Sequence, residues 1–158
     1  MKPATNPTGL RVQAVLGPSF TLLEFETSTR TAADAAAAIG CTVGQIAKSL
    51  VFRKLTSDQP VLIVASGPNR VNEAKVAQVV GEAIGRADAT FVRDHTGFAI
   101  GGVPPVGHAQ ALTTIIDHNL RAFDEIWAAA GTPNAVFRLS FEDLVRLTGG
   151  TMADVIES

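Results

Sequence analysis

Three short segments with helix-capping signals at both ends divide this sequence of 158 residues. Each segment is preceded by Thr, Asn or Ser, whose side-chain oxygen can accept a backbone N–H of the first helical turn. Each is followed by glycine, the residue that most readily adopts the left-handed conformation at a helix end. The pairs of capping residue and terminal glycine are Thr31 and Gly40, Asn72 and Gly81, and Ser140 and Gly149. The sequence therefore predicts three short helices.

Apolar and β-branched segments outside these helices are typical of strands. They comprise residues 21–26, 61–66, 89–93, 112–117 and 135–139, with 152–156 as a candidate last strand. No regular strand-helix-strand repeat connects them, and the chain length fits a single domain over residues 1–158. We predict one compact α/β domain of the α+β type, with a mixed sheet flanked by short helices. Residues 1–9, rich in Pro, Thr and Asn, are expected to form a loose arm.

Two further segments allow two interpretations. In residues 46–53 a period of two places Ile46, Lys48, Leu50 and Phe52 on one face of a strand, whereas the alternative is a helix end with Lys48 in water. In residues 123–130 the alanines favour a helix, whereas the Gly-Thr-Pro that follows favours a strand ending in a turn. The residues alone leave both alternatives open.

Composition excludes several classes of function. The formal net charge is −2 and no run of Lys or Arg occurs, which argues against DNA binding and against tight, sequence-independent RNA binding. The single cysteine, Cys41, excludes an internal disulfide and a zinc site built from several cysteines. The histidines lack metal-site spacing, so neither a metal nor a cofactor is expected. Without a signal pattern or an apolar run of about 18 residues, the chain is expected to be cytoplasmic, with no membrane segment.

Lys48 is the first candidate for chemistry. On the strand interpretation its ammonium lies among apolar neighbours, where loss of hydration disfavours the charged form. Such a lysine can have a lowered pKa or can hold an anion tightly. On the helix-end interpretation Lys48 is an ordinary solvated side chain.

The second candidate is the glycine- and proline-rich stretch TGFAIGGVPPVGH, residues 96–108. Gly101 and Gly102 allow positive φ and close approach of a ligand to the backbone. Pro104 and Pro105 fix φ and stiffen the loop, so its amides could bind a polar group or a developing oxyanion. The alternative is a tight turn at a strand end, where Gly and Pro are common. His108 ends the stretch and is more typical of a surface histidine than of a ligand.

Other catalytic motifs are absent from the sequence. No GxSxG, P-loop or GxGxxG pattern occurs, and no pair of carboxylates can be nominated as acid and base. Cys41 follows a helix-ending glycine and has no activating partner in the sequence, so it is expected to be inert. Asn134, in the turn GTPNAV, is an ordinary turn residue on this basis.

The order of several motifs nevertheless resembles a known family. The succession runs IAKSL, VLIVAS, GPNRVNEAK, TGFAIGGVPPVG, a strand ending in IID, and AVFRLSFEDLVRLTGG. This succession, from about residue 21 to the C-terminus, is similar to the YbaK/prolyl-tRNA synthetase editing-domain family. The most specific feature is Lys48 in its IxKSL context combined with the loop in which Gly101 and Pro105 are four residues apart.

The resemblance implies a mixed, barrel-like sheet in which the Lys48 segment and residues 126–131 are strands. It implies a free-standing hydrolase that removes a small wrong amino acid, such as alanine or cysteine, from mischarged tRNA, in particular tRNA(Pro). Water would attack the aminoacyl ester with help from a ribose hydroxyl of the tRNA, without a cofactor. The partners implied are the acceptor end of mischarged tRNA and prolyl-tRNA synthetase, which could supply tRNA affinity.

The resemblance also assigns site residues. Lys48 corresponds to the family's essential lysine, which would hold the terminal nucleotide or its phosphate and stabilise transition-state charge. The residues expected to bind substrate are Ser49, Gly101, Gly102, Val103, Pro105 and Asn134. Asn134 departs from relatives that carry His or Asp in this region. A non-catalytic binding module and a hydrolase of another small acyl ester are the alternative functions.

Overall fold

The structure is a computed structural model that describes residues 1–27, 29 and 31–158. Over these residues it contains nine strands in one mixed sheet, five α-helices and two short 3-10 helices. The strands are β1 (Lys2–Pro3), β2 (Leu22–Glu24), β3 (Ile46–Lys54), β4 (Pro60–Ser66), β5 (Ile84–Arg86), β6 (Thr113–Asp117), β7 (Ile126–Ala129), β8 (Ala135–Leu139) and β9 (Thr151–Ala153). The helices are α1 (Pro7–Leu16), α2 (Ala32–Ile39), α3 (Glu73–Val80), α4 (Ala89–Thr96) and α5 (Phe141–Thr148), and the 3-10 helices are Val43–Gln45 and His118–Ala122.

The strand order is β1-β2-β8-β7-β3-β4-β6-β9, with β5 paired to β3. Strand β3 runs antiparallel to β4 and β5 but parallel to β7, and β6 is parallel to β4. The predicted single α/β domain with a mixed sheet flanked by helices is confirmed. The sheet is not a closed barrel, because β1 and β9 end the order at separate edges.

The two faces of the sheet bury separate apolar clusters. On β3 the odd-numbered residues Ala47 and Val51 pack into the largest cluster, together with Val64 of β4 and Val103. The even-numbered residues face the other way, because side chains alternate along a strand. On that face Ile46 packs with Trp127 and α2, and Phe52 packs with a third cluster around Ile63 of β4.

The predicted helix caps are confirmed. Thr31 Oγ1 accepts the N–H of Asp34 at 3.0 Å, and Gly40 ends α2 with φ of 87°. Asn72 and Ser140 cap α3 and α5 in the same way. Four strand predictions are also confirmed, at β2, β4, β6 and β8, and both ambiguous segments contain strands, β3 and β7.

Two local predictions are wrong, and a third, the last strand, is confirmed only in its first two residues. Residues 1–9 are not a loose arm, because Lys2–Pro3 pairs with β2 and α1 begins at Pro7. The carboxylate of Glu24 fixes this segment by accepting the N–H of Thr5 at 2.6 Å and that of Asn6 at 2.8 Å.

The second wrong prediction and the partly confirmed one concern residues 89–93 and 152–156. Residues 89–93 are helical in α4, because Asp88 Oδ1 accepts the N–H of Phe91 at 2.8 Å and nucleates the first turn. The last strand spans only Thr151–Ala153, which pairs in parallel with the end of β6.

Candidate active site

The sheet has a gap along one edge of β3. On one side β3 pairs with β4 over residues 47–53. On the other side it pairs with β7 only at Ile46 and Ala47, and with β5 only from Phe52 to Lys54. In the described part of the chain, residues 48–51 therefore have no strand partner on that side.

Backbone groups of β3 point into this gap. The N–H of Lys54 is directed to the β4 side, where it bonds the carbonyl of Gln59 at 2.8 Å. The N–H of the next residue, Leu55, is directed to the other side, to the carbonyl of Ala83 at 2.9 Å. Successive peptide groups of a strand alternate in direction, so the N–H and C=O groups of Ser49 and Val51 face the gap. Such groups remain available to hydrogen bond a ligand.

A cavity of about 690 Å³ occupies the gap. This volume lies within the range of about 300 to 1,000 Å³ that is usual for small-molecule sites. It exceeds what the side chain of one small amino acid would fill. The wall includes Lys48 and Ser49 of β3, Gly101 and Val103 of the glycine-proline loop, and Trp127 of β7.

The cavity has two halves, one on each face of the sheet. Ile46 lies in register with Trp127, so these side chains and Lys48 share one face. The residues on this face, with the wall residues of α2, form what we call the α2 half: Ala32, Ala33, Ala35, Ile46, Lys48, Leu50, Phe52, Arg86 and Trp127. The opposite face forms the loop half: Ser49, Val51, Ala87, Gly101 and Val103. Lys48 and the glycine-proline loop thus border one cavity, but they approach it from opposite faces, across the free edge of β3.

Lys48 is half-buried in the α2 half and has a perturbed charge. Burial lowers the pKa of its ammonium group, the positive charge of Arg70 lowers it further, and the carboxylate of Asp117 acts in the opposite direction. Its ammonium forms no hydrogen bond or ion pair with any residue that the structure describes. A desolvated cation without a protein partner is well suited to bind an oxygen of an incoming substrate.

The adjacent glycines of the loop have different roles. Gly101 has φ of 90°, and a Cβ built there would meet nothing within 4 Å. It is exposed on the wall of the cavity. Gly102 is buried, and its Cβ would lie 2.8 Å from Cα of Thr132 and 3.0 Å from the carbonyl oxygen of Gly131. The first glycine leaves space for a ligand, whereas the second lets the loop pack on the turn before β8.

The remaining predicted site residues divide between the wall and the layer behind it. Ser49 and Val103 line the cavity, and Val103 is only 4 % exposed. Pro105 is buried outside the wall. Asn134 is also outside the wall; its Oδ1 accepts the hydroxyl of Thr132 at 2.8 Å, and Thr132 does line the cavity. Asn134 therefore supports the wall from behind.

His108 fixes the shape of the glycine-proline loop. Its Nε2 lies 2.7 Å from the carbonyl oxygen of Pro104, so a neutral ring protonated at Nε2 donates a hydrogen bond to it. Burial lowers the pKa of His108, although the contact with the Pro104 carbonyl acts in the opposite direction. The ring also packs edge-on against Phe98, with centroids 6.5 Å apart. His108 faces the loop rather than the cavity, which it does not line.

Sequence reasoning did not find Trp127. It is 8 % exposed and lines the α2 half, and its Nε1 is buried without a hydrogen-bond partner among the described residues. The hydroxyl of Ser49 is likewise buried and unpartnered. Trp127 lies in the segment whose structure was ambiguous, and its position depends on the parallel pairing of β7 with β3. No local signal in the sequence specifies that pairing.

The described residues contain no cluster of metal-ligating side chains and no helix that could span a membrane. No group of three or more His, Cys, Asp or Glu side chains in that part of the chain could hold a metal ion. None of the helices there has the length and apolar character required to span a bilayer. Burial raises the pKa of the Cys41 thiol, which favours its protonated, unreactive form.

These features define a class of protein: a single α/β domain whose sheet opens onto an apolar cavity with one half-buried lysine and a stiff glycine-proline loop. Residues 26–147 match the profile of the aminoacyl-tRNA editing domain, and the chain belongs to this family. The resemblance noted from the motifs is thereby confirmed.

Three relatives illustrate the match. The chain is 37 % identical over 121 residues to the uncharacterized protein YwhH of Bacillus subtilis (strain 168), covering 77 % of this chain and 76 % of that protein. It is 32 % identical over 112 residues to a proline–tRNA ligase of Xanthomonas campestris pv. campestris (strain 8004), covering 70 % of this chain but only 20 % of the ligase. A solved structure described as a candidate trans-editing enzyme for prolyl tRNA synthetase superposes with a TM-score of 0.93 at 43 % identity, covering 98 % of this chain and 100 % of that one.

Proposed function

We propose that this protein is a trans-editing hydrolase that deacylates mischarged tRNA, in particular tRNA(Pro) carrying a small wrong amino acid such as alanine or cysteine. The observation that carries the proposal is the cavity at the free edge of β3, which Lys48 and Gly101 border from opposite faces. Membership of the editing-domain family and the relationship to proline–tRNA ligases support it.

The size and halves of the cavity suit an amino acid esterified to a nucleoside. The cavity is larger than a small amino acid needs, and its two halves meet at the unpaired backbone of Ser49 and Val51. In the proposed complex the terminal nucleoside of the tRNA occupies the α2 half and the aminoacyl group occupies the loop half. The ester lies between them, at the edge of β3.

Lys48 acts on the charge of the substrate. Its ammonium holds the terminal nucleotide or its phosphate and stabilises the negative charge that develops on the ester carbonyl oxygen. Because no described residue neutralises it, this interaction does not require an existing ion pair to break. In a partly desolvated site, the attraction between this ammonium and the negative charge of the transition state is stronger than it would be in bulk water.

The loop half selects small amino acids by exclusion. Its apolar wall residues Ala87 and Val103 are buried and closely packed, so they leave little freedom to accept a larger side chain. The backbone groups of Ser49, Val51 and Gly101 anchor the amino group and the carbonyl. A synthetase pocket made for proline discriminates poorly against smaller amino acids, since one methylene is worth about 1 to 3 kcal/mol. A second site that hydrolyses what fits inside it restores accuracy.

The reaction is hydrolysis of the ester. A water oxygen attacks the ester carbon, the bond from that carbon to the ribose oxygen breaks, and the ribose oxygen leaves with a proton. The products are a free amino acid and uncharged tRNA. Among the described wall residues only Lys48 and Arg86 have titratable side chains, and neither is a suitable base. We therefore assign assistance in positioning the water to the neighbouring ribose hydroxyl of the tRNA.

Recognition of the tRNA is confined to its acceptor end. The net charge of −2 provides little attraction for the rest of the phosphate backbone. We propose that prolyl-tRNA synthetase supplies the remaining affinity as a partner, and that the protein acts in the cytoplasm, where this substrate is made. Tight binding of whole tRNA by the isolated protein, with a steep dependence on salt, would contradict this division.

A deacylation panel tests the function. The protein is incubated with tRNA(Pro) charged with alanine, cysteine, serine or proline, and with small free aminoacyl esters, and amino acid release is followed. We expect release of a small non-cognate amino acid, and loss of that release in Lys48→Ala. The matched control is Lys54→Ala, since Lys54 lies on the same strand, outside the cavity wall.

Each negative result identifies an alternative. No turnover of any charged tRNA by the wild type would favour a binding module without catalysis. Turnover of free esters but not of charged tRNA would favour a hydrolase of small acyl esters. Equal activity of Lys48→Ala and wild type would remove Lys48 from the mechanism.

A further inference from the structure

A second cavity, of about 600 Å³, adjoins the first. It opens where the parallel strands β4 and β6 end, next to the residues that precede β3. Val43 and Gly67 line the first cavity, whereas their chain neighbours Gly44, Ser66 and Pro68 line the second. Consecutive Cα atoms are about 3.8 Å apart, so only a thin ridge separates the two cavities.

The ridge is thin because two backbone segments touch there. A Cβ on Gly67 would overlap the carbonyl oxygen of Val43 and would lie 3.1 Å from Cβ of Ala32 in α2, so this approach requires glycine. The contact with α2 shows that the ridge borders the α2 half of the first cavity. A group bound in the α2 half therefore has a neighbouring space into which a linked second group can extend.

A buried carboxylate holds the polar wall of the second cavity in place. Asp117 ends β6 and is 0 % exposed. Its Oδ2 accepts the N–H of Ser66 at 3.0 Å and Nδ2 of Asn69 at 2.7 Å, and its Oδ1 accepts the N–H of Asn119 at 2.9 Å. The hydroxyl of Ser66 donates to the carbonyl of Gly44 at 2.6 Å. These bonds connect the ends of β4 and β6 and fix the wall before a ligand binds.

The same carboxylate determines which way two asparagine amides face. A carboxylate can only accept hydrogen bonds, so Asn69 directs its Nδ2 to Asp117, and this Nδ2 also donates to Oδ1 of Asn119 at 3.0 Å. Oδ1 of Asn69 is accessible and has no partner among the described residues. Nδ2 of the exposed Asn119 has only a contact of 3.5 Å with Nε2 of His118. The wall thus offers a ligand one acceptor and one donor.

The rest of the wall is partly cationic and partly apolar. Arg121 is exposed, and its guanidinium forms no ion pair or hydrogen bond with any residue that the structure describes. Ala122 and Phe123 provide apolar surface. Nδ1 of His118 is closed to a ligand, because it is buried 3.5 Å from Oδ1 of Asp117.

Two cations lie near the junction of the cavities. Arg70 directly follows the turn that ends at Asn69. Burial lowers the pKa of Lys48, and the positive charge of Arg70 is near enough to lower it further. The carboxylate of Asp117 acts in the opposite direction, but it is buried and its oxygens are already hydrogen-bonded. Arg70 is exposed and forms no ion pair in the described chain, so both cations are available to a phosphate.

This combination of groups suits single-stranded RNA. Proteins recognise unpaired bases through hydrogen bonds to their edges, contacts with apolar or aromatic surface, and cations at the phosphates. The acceptor end of tRNA reads cytidine-cytidine-adenosine, so a cytidine precedes the terminal adenosine. The amino group of cytosine can donate to Oδ1 of Asn69, and the adjacent ring nitrogen can accept from Nδ2 of Asn119.

Resting on the proposed function, we infer that the second cavity binds the cytidine that precedes the terminal adenosine of the substrate, with Asn69 and Asn119 bonding its base. The phosphate that joins the two nucleosides lies over the ridge, between Lys48 and Arg70. Arg121 holds the phosphate on the other side of the cytidine or its ribose. The recognised part of the tRNA is therefore a dinucleotide rather than a single nucleoside.

Short analogues test this inference by calorimetry. The reference compound is adenosine that carries alanine through a 3′-amide, which resists ester hydrolysis. Three further compounds add a 5′-phosphate, a cytidine or a uridine to it, the nucleosides through a phosphodiester. The cytidine compound is expected to bind about ten-fold more tightly than the reference, the effect of one bound base. The uridine compound should gain less, because uracil presents a carbonyl where cytosine presents its amino group.

A pair of arginine variants localises the effect. Arg121→Gln should leave Tm unchanged, since no contact in the described chain is lost. It should reduce the affinity for the cytidine compound about five-fold while the affinity for the reference compound stays the same. In deacylation of mischarged tRNA, KM should rise and kcat should not change. The control is Arg93→Gln, which removes an exposed arginine of α4 outside both cavities and should change none of these values.

The outcomes separate this inference from the function on which it rests. If the wild type deacylates tRNA but the cytidine compound binds no better than the reference, or no better than the 5′-phosphate compound, the second site is refuted and the editing function stands. If cytidine strengthens binding through Arg121 while no charged tRNA is hydrolysed, the second site stands and the proposed function is refuted. Equal gains from cytidine and uridine would overturn the role of Asn69 and Asn119.

Discussion

Strands β3 and β4 are neighbours paired over seven residues, yet they differ in almost every property that matters for function. Strand β4 is buried at all seven positions, has partners on both sides in β3 and β6, and carries Ser66 as its only polar side chain. Strand β3 is half-buried over most of its length and lacks a partner along residues 48–51 within the described chain. It carries the half-buried Lys48 and the hydroxyl of Ser49, which has no hydrogen-bond partner among the described residues.

The difference shows how this fold creates a site. Strand β4 satisfies its backbone inside the sheet and contributes stability. Strand β3 ends its pairing with β7 two residues after it begins and resumes pairing with β5 at Phe52. The interval leaves backbone donors and acceptors facing a cavity of about 690 Å³. The cavity that we propose as the active site therefore arises from an omitted strand pairing, and the glycine-proline loop closes it from one side.

The largest effect expected from this comparison is on stability, at β4. Ile63 is 0 % exposed in a packed cluster, so Ile63→Ala should lower the free energy of unfolding by about 2 to 5 kcal/mol through lost burial and a residual cavity. Urea unfolding measures this directly. The folded fraction of the variant should retain wild-type kcat/KM, and a selective loss of activity would mean that the two strands do not divide their roles.

The counterpart at β3 should affect activity instead. Lys48→Ala is expected to reduce kcat/KM for mischarged tRNA about 100- to 1,000-fold, the cost of removing a charge-stabilising group from an active site. Its free energy of unfolding should stay within about 1 kcal/mol of the wild-type value, because no ion pair in the described chain is lost. If Lys48→Ala instead lowered the free energy of unfolding by much more, and activity fell only in proportion to the folded fraction, Lys48 would have a structural rather than a catalytic role.

The adjacent glycines Gly101 and Gly102 allow the same contrast, between a residue needed for activity and a residue needed for stability, to be tested in the loop. A methyl group at position 102 would meet backbone atoms 2.8 Å away, so Gly102→Ala should lower stability by about 1 to 3 kcal/mol. Gly101→Ala meets no atom within 4 Å, and its cost is the strain of positive φ, about 1 to 2 kcal/mol.

KM distinguishes the two variants, provided that it is measured under conditions in which the same fraction of each variant is folded. Gly101→Ala places a methyl group on the cavity wall and should raise KM, whereas Gly102→Ala should not. Equal KM values for the two variants would show that the wall at Gly101 does not contact substrate.

The smallest expected effect is the pH dependence due to His108. Burial lowers the pKa of this ring in the folded protein below its ordinary value of 6.5, so the unfolded chain takes up a proton first as the pH falls. The free energy of unfolding should therefore decrease as the pH is lowered through 6.5 toward the folded pKa, and become independent of this group at lower pH. Above pH 6.5 His108 makes its full contribution to the free energy of unfolding.

The variant His108→Gln isolates this contribution. Glutamine can still donate to the carbonyl of Pro104 but does not titrate, so the difference between wild-type and variant unfolding curves should depend on pH near and below 6.5. A difference that is the same at pH 5 and pH 8 would show that the ring is not held in its neutral form.

Much of the fold could be predicted because its signals are local. Thr31, Asn72 and Ser140 each cap a helix through contacts three residues away, and β4 is a continuous apolar run. The errors also have local physical causes. Asp88 nucleates a helix in a segment that looked β-branched, and Glu24, distant in sequence, orders the N-terminal residues through two backbone N–H groups.

The site could be predicted only in part. Lys48 and Gly101 were candidates from the residue pattern itself, the family resemblance added Ser49 and Val103, and all four line the cavity. Trp127 was not, because its place depends on the parallel pairing of β7 with Ile46 and Ala47, which nothing in the segment itself encodes. The distinction between Gly101 and Gly102 was also beyond the sequence, since it depends on the approach of the turn at Gly131 and Thr132.

The most direct test of the account is an experimental structure with the 3′-amide analogue of alanyl-adenosine bound. We predict that the amide, standing for the ester, lies beside the free edge of β3 between β5 and β7. The adenosine should lie on the Lys48 side and the alanyl group on the Gly101 side. An analogue bound wholly on one face of the sheet, or bound away from residues 48–51, would contradict the central claim that the missing strand pairing forms the active site.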